Sequence, residues 1–351
     1  MDFELDDEQT ALRDAVRGLL KGYDPATNSE HRRQVTAEDP GYDEKLWTRL
    51  AEMGLLGLPF AEADGGMGAG PVEVAVVAEE IGRVLAPEPF VASVVLAGGL
   101  VAELGTDEQR SEVLGGLASG ERLLAFASGE IAEPVIQGAR ADTIVWEVGG
   151  EVFLLDRQAD VTSYRTHDGG RAARLEFDRA AATPLGAGGD ASEALRTAVA
   201  RAQIAACHEA LGAMDTALRL TTSYLTTRQQ FGVTLNRFQA LTFRAADMYT
   251  DLELTRSIVT WATMVAADED STAEAIRDAS ARAKLQTVRA ARRIGQEAIQ
   301  LHGGIGVTDE FSIGHFTSRL TALSHWLGDA RTQVSALTAG LGSYGVIDPL
   351  D

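Results

Sequence analysis

The chain has 351 residues and a formal net charge of -21 at pH 7, which disfavours nucleic-acid phosphates and anionic membranes as partners. This length allows two or three domains with a sizeable core. The single cysteine, Cys207, excludes an intrachain disulfide, and its apolar surroundings predict a small core residue. The acidic N-terminus has no apolar signal region, and no stretch of about 18 residues is apolar enough to span a bilayer. The sequence therefore predicts a cytoplasmic protein.

Residues 1–120 are predicted to form an all-helical domain, because apolar residues recur at helical spacing along them. A glycine-rich loop interrupts the pattern before Pro71, a residue that favours the first position of a helix. Helices are expected over 5–22, 43–57, 71–84, 89–104 and 107–119.

Residues 121–189 have the pattern of a small β domain. Strand-like stretches at 143–148 and 152–155 flank Gly149-Gly150, a hairpin signal, and apolar residues alternate with polar ones over 173–178. Residues 184–189 are interpreted as a linker. Asp190 and Glu193 then predict a capping-box start for the next helix.

Residues 190–351 are predicted to form a four-helix domain. A long helix starts near residue 191, and further helices are expected at about 237–267, 271–301 and 312–340. The fold is therefore expected to be mainly α, with a small β domain between two helical domains.

The first informative segment runs Arg228-Gln229-Gln230-Phe231-Gly232 and is followed by Phe238-Gln239. The pattern predicts that a helix ends at Gly232 and that another begins by Asn236. An arginine at such a corner can grip a pyrophosphate through its guanidinium fork. The alternative is an arginine that caps the carbonyls at the end of the helix.

The second informative segment is Gln300-Leu301-His302-Gly303-Gly304-Ile305-Gly306. It follows a predicted helix, whereas a dinucleotide-binding glycine motif must follow a strand. Adjacent glycines after a helix allow a ligand to approach the backbone closely, with Gln300 able to bond it. The alternative is a glycine that caps the helix and opens a turn.

Together, the RxQFG–FQ segment and the QxxGGxG segment about 70 residues later resemble the C-terminal domain of acyl-CoA dehydrogenases. The N-terminal stretches LDDEQTALRDAVRGLL and LWTRLAEMGLLGLPFAEADGGMG are similar to the opening domain of that family. In the family these C-terminal segments reach across a dimer interface to hold the ADP and pyrophosphate of an FAD bound mainly to the neighbouring subunit. The resemblance implies that role for Arg228, Gln230, Phe231, Gln239, Gln300, His302, Gly303 and Gly304.

The resemblance fails where the flavin ring should lie. Only Ala132-Glu133-Pro134 is similar to the family's threonine-glutamate-proline segment, and no glycine-serine-aspartate follows it. The family's tryptophan-isoleucine-threonine strand is missing, so Trp146 is interpreted as a residue that packs within the hairpin.

The catalytic glutamate of the family is also missing. Leu327 stands in the place where many members carry it, before Gly328, and the other known place reads Arg201-Ala202-Gln203. The reaction needs a carboxylate that removes the α-proton of the thioester while the flavin accepts hydride from the β-carbon. Glu209 lies about two turns from the second place and is not favoured as the base. Asp309 and Glu310 are interpreted as solvated loop acids.

A di-iron carboxylate protein is a different class that a helical, acidic domain suggests. That class uses Glu-x-x-His motifs, and no histidine of this chain has a glutamate three residues before it. His302, His315 and His325 show no metal-ligand spacing, so no metal site is predicted.

The preferred hypothesis is a non-catalytic subunit of a mixed acyl-CoA dehydrogenase. A longer family member would form a heterotetramer with it and supply the flavin cradle and the base, as in actinobacterial enzymes acting on steroid side chains or other bulky CoA thioesters. Two alternatives stay open. One is a self-sufficient homo-oligomer with a relocated base, and the other is a flavin-free homologue that binds CoA thioesters or acts as a scaffold.

Overall fold

The computed structural model describes residues 4–157 and 161–343. In them a small β unit lies between two helical units, which confirms the predicted fold class. No helix of these two stretches is both long and apolar enough to cross a membrane. The α-helices are α1 (Asp7–Leu19), α2 (Ser29–Ala37), α3 (Glu44–Glu52), α4 (Pro71–Val84), α5 (Gly99–Leu104), α6 (Asp107–Ala118), α7 (Ser192–Thr227), α8 (Gln239–Ala267), α9 (Ala273–His302), α10 (Ile313–His325) and α11 (Ala330–Ala339).

The N-terminal helices differ from the prediction in four places. The helix predicted over 43–57 ends at Glu52, because Gly54 has a φ of 74°, and a separate 3-10 turn, Leu55–Gly57, follows. The first predicted helix ends in a 3-10 turn, Leu20–Tyr23, and the short helix α2 was not predicted. The stretch predicted as one helix over 89–104 begins as a π-helical segment, Val91–Gly98, and continues as α5. Such π-helical geometry is often found beside functional sites.

The β unit contains two sheets. The predicted hairpin is confirmed, because β3 and β4 pair antiparallel up to Val148 and Glu151, with Gly149 and Gly150 both at positive φ. A four-stranded sheet has the order β1-β3-β4-β7, and a three-stranded sheet has the order β2-β6-β5. The strands are β1 (Leu124–Ser128), β2 (Ile131–Ile136), β3 (Thr143–Val148), β4 (Glu151–Asp156), β5 (Ser163–Arg165), β6 (Arg171–Glu176) and β7 (Thr183–Pro184).

Three predictions about the C-terminal helices were wrong, one of which, the end of α7, is described with the candidate site. The helix expected over 312–340 is broken into α10 and α11, because Leu327 and Gly328 take φ values of 58° and 97°, which no right-handed helix tolerates. The predicted capping box at Asp190 is also absent. The Asp190 carboxylate instead accepts a hydrogen bond from the backbone N–H of Ser192, at 3.0 Å.

The helices of both units share one hydrophobic core, and the β unit has a second core of its own. Helices α4 and α7 cross with their backbones in close contact at two glycines. A Cβ atom on Gly82 would lie 1.8 Å from the carbonyl oxygen of Glu209, and one on Gly212 would lie 1.9 Å from that of Glu79. This close crossing fixes the middle of α7, including Glu209, against the N-terminal unit.

Candidate functional site

The segment after α7 is a tight β-hairpin. Helix α7 ends at Thr227 rather than at the predicted Gly232, and β8 (Gln229–Gln230) pairs antiparallel with β9 (Val233–Thr234). The turn between them, Phe231-Gly232, has φ values of 54° and 81°. Two positive φ values are what a two-residue hairpin turn of type I′ requires.

Phe231 is an unusual residue for the first position of this turn. A non-glycine residue in the left-handed region is strained, and such strain is concentrated at functional sites. Its side chain is 91% exposed, and its ring lies at a steep angle to that of Phe238, at a centroid distance of 6.2 Å. The hairpin therefore presents a large apolar side chain that the described part of the chain does not cover.

Arg228 stands at the base of the same hairpin. Its side chain is exposed and makes no hydrogen bond or ion pair with any residue in 4–157 or 161–343. The backbone N–H of Arg228, not its guanidinium, donates to the carbonyl of Tyr224. The guanidinium therefore does not cap the carbonyls of α7, and it is free to meet an anion.

Gln239 begins the next helix, α8, and is exposed. Phe238, the residue before it, cannot cap the helix with its side chain. The first backbone N–H groups of a helix carry partial positive charge and favour anions such as phosphate. The hairpin and the start of α8 thus combine a cation, free amides and an exposed aromatic ring.

The second segment lies at the end of α9. Gln300, Gly303 and Gly304 are exposed, and Gly303 ends the helix with a φ of 66°. The helix-capping alternative therefore explains Gly303. It does not explain Gly304, because a Cβ atom there would meet nothing within 4 Å. Nothing in the described chain requires a glycine at 304, so the open space beside it is available to another molecule.

His302 is buried, unlike the other predicted cofactor residues, and only 4% of its surface is exposed. Its ring stacks on Tyr224 at a centroid distance of 4.6 Å, and its Nδ1 is 2.7 Å from the carbonyl oxygen of Ala298. Burial lowers the pKa of its imidazole. The stack joins the end of α9 to the end of α7, so His302 positions both segments rather than presenting its ring at the surface.

The region similar to the family's flavin-ring segment is small and differently built. A cavity of about 190 Å³ adjoins Ala132-Glu133-Pro134, and Leu327 also lines it. Trp146 is buried, donates from Nε1 to the carbonyl of Gly129 at 2.8 Å, and stacks on Phe177 at 4.8 Å. This confirms that Trp146 packs within the β unit.

The two positions at which the family carries its catalytic base are represented here by Leu327 and Gln203, and these two residues are in contact. The Gln203 side-chain amide donates to the carbonyl of Leu327 at 2.6 Å, and the Ser280 hydroxyl donates to the Gln203 amide oxygen at 2.7 Å. Neither Leu327 nor Gln203 can take up a proton at neutral pH. The φ of 58° at Leu327 shows that the backbone there keeps a strained conformation without a catalytic side chain.

Glu209 forms a buried ion pair with Arg319. Arg319 donates to its Oε1 from Nε at 2.7 Å, and also donates from Nη1 to Asp168 Oδ2 at 2.7 Å. Burial works against ionisation of Asp168, but Arg319 outweighs it and the pKa of that carboxyl falls to about 2. Glu209 and Asp168 are therefore both paired with the guanidinium of Arg319. Asp309 and Glu310 are exposed, and Asp309 pairs with Arg33 at 3.3 Å.

Glu88 is a buried carboxyl that the sequence reasoning missed. Its Oε1 accepts from the Tyr23 hydroxyl at 3.3 Å and from the backbone N–H of Asp43 at 3.1 Å, while its Oε2 has no partner among the described residues. Burial raises the pKa of this carboxyl to about 7. The only sequence signal was its position between Pro87 and Pro89 in an otherwise apolar stretch.

Comparison with known proteins agrees with this α–β–α architecture. The model of the acyl-CoA dehydrogenase N-terminal domain matches residues 6–121, and that of the C-terminal domain matches residues 179–342. The chain belongs to the acyl-CoA dehydrogenase family, whose members are FAD-dependent oxidoreductases.

Curated relatives are similar over most of their length. Acyl-CoA dehydrogenase IpdE2 of Mycobacterium tuberculosis is 30% identical over 317 residues, covering 89% of this chain and 91% of the relative. IpdE2 of Mycolicibacterium smegmatis is 28% identical over 344 residues, covering 95% and 99%.

Two solved structures are similar in sequence as well as fold. A variant of the Tcur3481-Tcur3483 steroid ACAD matches with a TM-score of 0.84 and 29% identity, covering 96% of this chain and 98% of that one. The ChsE4-ChsE5 complex from Mycobacterium tuberculosis matches with a TM-score of 0.84 and 25% identity, covering 99% and 100%.

Proposed function

We propose that this chain is the non-catalytic subunit of a mixed acyl-CoA dehydrogenase. It supplies the site for the ADP and pyrophosphate of an FAD whose flavin ring is held by a longer partner subunit. The single observation that carries the proposal is the contrast between two regions. The surface around Arg228 has unused binding groups, whereas Leu327 and Gln203 leave the chain's own catalytic position without a base.

The residues around the hairpin fit the anionic part of FAD. Arg228 offers an unpaired guanidinium, which binds a pyrophosphate through two parallel hydrogen bonds. Gln239 stands at a helix N-terminus, where the backbone amides favour the same charge. Phe231 offers an exposed ring for packing, and Gly304 leaves room for close approach. Gln230 and Gln300 are exposed in the same two segments, and the buried His302 joins the two segments by its stack on Tyr224.

Bound FAD supplies the hydride acceptor for α,β-dehydrogenation of a CoA thioester. The residues of this chain act on the far end of the cofactor: Arg228 holds the pyrophosphate, and Phe231 covers the adjoining surface. Leu327 cannot remove the α-proton, and Glu209 is held by Arg319. Proton abstraction therefore belongs to a carboxylate of the partner.

The two similar complexes support the proposed partner and substrate class. The solved steroid ACAD and the ChsE4-ChsE5 complex are each named for two different proteins, and this chain is 29% and 25% identical to a chain of each. A heterotetramer with a longer family member is therefore the proposed assembly. The proposed substrate is the CoA thioester of a steroid side chain or of another bulky acyl group.

The test is to count flavin with and without a partner. The chain expressed alone should be nearly colourless. When it is co-expressed with a longer acyl-CoA dehydrogenase family member encoded beside it, the complex should contain about one FAD per heterodimer and oxidise bulky acyl-CoA substrates. A yellow homo-oligomer with one FAD per chain and dehydrogenase activity would contradict the proposal. A colourless, inactive complex would instead favour the flavin-free scaffold.

The second candidate function is a self-sufficient homo-oligomeric dehydrogenase, and Glu88 is the observation that favours it. Glu88 lines a cavity of about 410 Å³ that also adjoins Leu327, and its pKa of about 7 suits a general base. If the chain alone is yellow and active, Glu88→Gln should abolish turnover while FAD is retained. Full activity of that variant would exclude Glu88 as the base.

A further inference from the structure

A cleft of about 340 Å³ lies between the N-terminal helices and α7. None of its described lining residues also lines the two cavities that adjoin Leu327. Helices α4, α5 and α7 and the end of α8 surround it, and they contribute Val74, Gly99, Ile204 and Ala266. Its volume is in the range of pockets that hold small organic molecules. The cleft is therefore a separate candidate site.

The walls of the cleft are apolar and closely packed. Phe60 is only 2% exposed, and its ring packs so closely on Gly98 that a Cβ atom there would lie 2.6 Å from it. Val95 contributes from the π-helical segment Val91–Gly98, a geometry that is often found beside functional sites. A ligand that enters a cleft with ordered walls loses little affinity to the ordering of side chains.

Water is a poor occupant of this cleft. The side chains that line it are aliphatic or aromatic, except those of Glu103 and Arg201. About eleven water molecules would fill the volume at ~30 Å³ each, and each ordered water makes about three hydrogen bonds. Two polar side chains cannot supply so many partners. Cavities with apolar walls bind apolar molecules instead, so the cleft favours a hydrocarbon.

The rim of the cleft is polar but carries no net charge. Arg201 Nη1 lies 3.8 Å from Glu103 Oε2, and both side chains are about half exposed. This distance is too long for a hydrogen bond, and neither side chain forms one with any residue in 4–157 or 161–343. A donor and an acceptor therefore stand side by side at the opening, and both are available to a ligand.

We propose that this cleft binds a compact, uncharged alcohol, with its hydrocarbon body against Phe60, Val95 and Ile204 and its hydroxyl at the rim. A hydroxyl both donates and accepts a hydrogen bond, so it can bridge Glu103 and Arg201. Glu103 would repel a carboxylate in the same position, and Arg201 would repel an ammonium group. Binding here does not depend on whether the chain also holds a partner's FAD.

The experiment compares three probes that share one hydrocarbon body. The full chain is titrated by calorimetry with adamantylmethanol, adamantane carboxylate and adamantylmethylamine. The alcohol should bind at least several-fold more tightly than the acid or the amine, because only the alcohol uses both rim residues without repulsion. An acid or an amine that binds as tightly as the alcohol, or no binding of the alcohol at submillimolar concentration, would overturn the proposal.

Variants that fill the cleft locate the site. Gly99→Leu should abolish binding of the alcohol and leave the chain folded, because a Cβ atom at Gly99 meets nothing within 4 Å and leucine favours a helix more than glycine does. Gly18→Leu is the matched control. Gly18 is also a helical glycine with nothing within 4 Å of its Cβ position, but it lies in α1 outside the cleft, so this variant should keep the wild-type affinity.

If Gly99→Leu does not melt cooperatively, Ala102→Leu decides, because Ala102 lies on the same helix and also lines the cleft. An alcohol affinity that is unchanged in whichever of these two variants folds, or that is lost in Gly18→Leu, would overturn the proposal.

A charge change at the rim tests the role of the polar pair. Arg201→Gln removes the cation, so the amine should gain affinity relative to the acid by several-fold, and the alcohol should bind more weakly. Arg196→Gln is the matched control, because Arg196 is exposed on the same helix, pairs with Glu193 at 2.8 Å and does not line the cleft. The control should keep the wild-type affinities. Relative affinities of the three probes that are the same in Arg201→Gln as in the wild type would overturn the proposal.

Discussion

The side-chain amide of Gln203 donates a 2.6 Å hydrogen bond to the backbone carbonyl of Leu327. The family carries its catalytic glutamate at one or the other of these two positions. In this chain a hydrogen bond joins the two positions, and neither residue can ionise. The left-handed φ of Leu327 and the following Gly328 keep the loop in the same region. The loop at Leu327 therefore keeps a strained backbone at the position where the resemblance places a catalytic side chain, and the residue there cannot ionise.

Leu327→Ala should leave turnover of the complex with the partner within about threefold of the wild type, because Leu327 takes no part in proton transfer. The side chain is partly buried, so its truncation should lower the free energy of unfolding by about 1–3 kcal/mol. Steady-state kinetics per bound FAD and urea denaturation measure the two effects. A loss of several orders of magnitude in turnover with FAD retained would assign the catalytic position to this loop.

Glu209→Gln should likewise not abolish turnover, because Glu209 is paired with Arg319. The variant should nevertheless lose about 1–3 kcal/mol of stability, since Arg319 keeps Asp168 but loses a buried charged partner. Glu103→Gln is the matched control, because Glu103 is half exposed and stands 3.8 Å from Arg201. Surface pairs contribute little, so this control should retain its stability. Loss of turnover in Glu209→Gln alone would place the base in α7.

Glu88 should make stability depend on pH. Its pKa is about 7 in the folded chain against 4.5 for an ordinary glutamate, so the folded chain binds the proton more tightly between these values. The free energy of unfolding contributed by Glu88 therefore falls as pH rises through this window. Each pKa unit corresponds to about 1.4 kcal/mol, so Glu88→Gln should gain about 2 kcal/mol over the wild type between pH 5.5 and 8. Parallel urea-unfolding curves at all pH values would show that Glu88 ionises as freely as in water.

Gly304→Ala separates folding from cofactor binding. A Cβ atom at 304 meets nothing within 4 Å, so the melting temperature of the chain alone should stay unchanged or rise slightly. In the complex, the added methyl group should weaken FAD binding at least several-fold, because the open space is proposed to admit the cofactor. An FAD affinity equal to that of the wild type would remove Gly304 from the site.

The helices were predictable where apolar residues recur every three or four positions, as in α4, whose bounds match the prediction. Helix α2 was missed because its sequence, SEHRRQVTA, has few apolar residues to form a pattern. The break between α10 and α11 was missed because Trp326 and Leu327 continue the apolar spacing, and only Gly328 marks the interruption. The hairpin 228–234 was missed because its two-residue strands are too short to show alternation.

The exposed half of the candidate site was visible in the sequence because its residues lie in two short segments. The buried contacts around Asp168 and Arg319 could not be predicted, because they join residues that are far apart along the chain. Arg32 and Asp168 are 136 residues apart, and Asp168 and Arg319 are 151 residues apart. The packing role of His302 also depends on Tyr224, a residue on another helix. Spacing along one chain cannot identify such pairs.

The most direct test is a titration of the partner-containing apo-complex with FAD, comparing the wild type with Arg228→Ala and Arg228→Lys. A charge-assisted bidentate contact contributes about 1.5–3 kcal/mol, so Arg228→Ala should weaken FAD binding at least tenfold. The lysine variant should recover only part of the affinity, because a point charge cannot reproduce the guanidinium fork. The reactivity of flavin that remains bound should not change. Equal FAD affinities for the wild type and Arg228→Ala would contradict the proposal that this chain holds the pyrophosphate of its partner's cofactor.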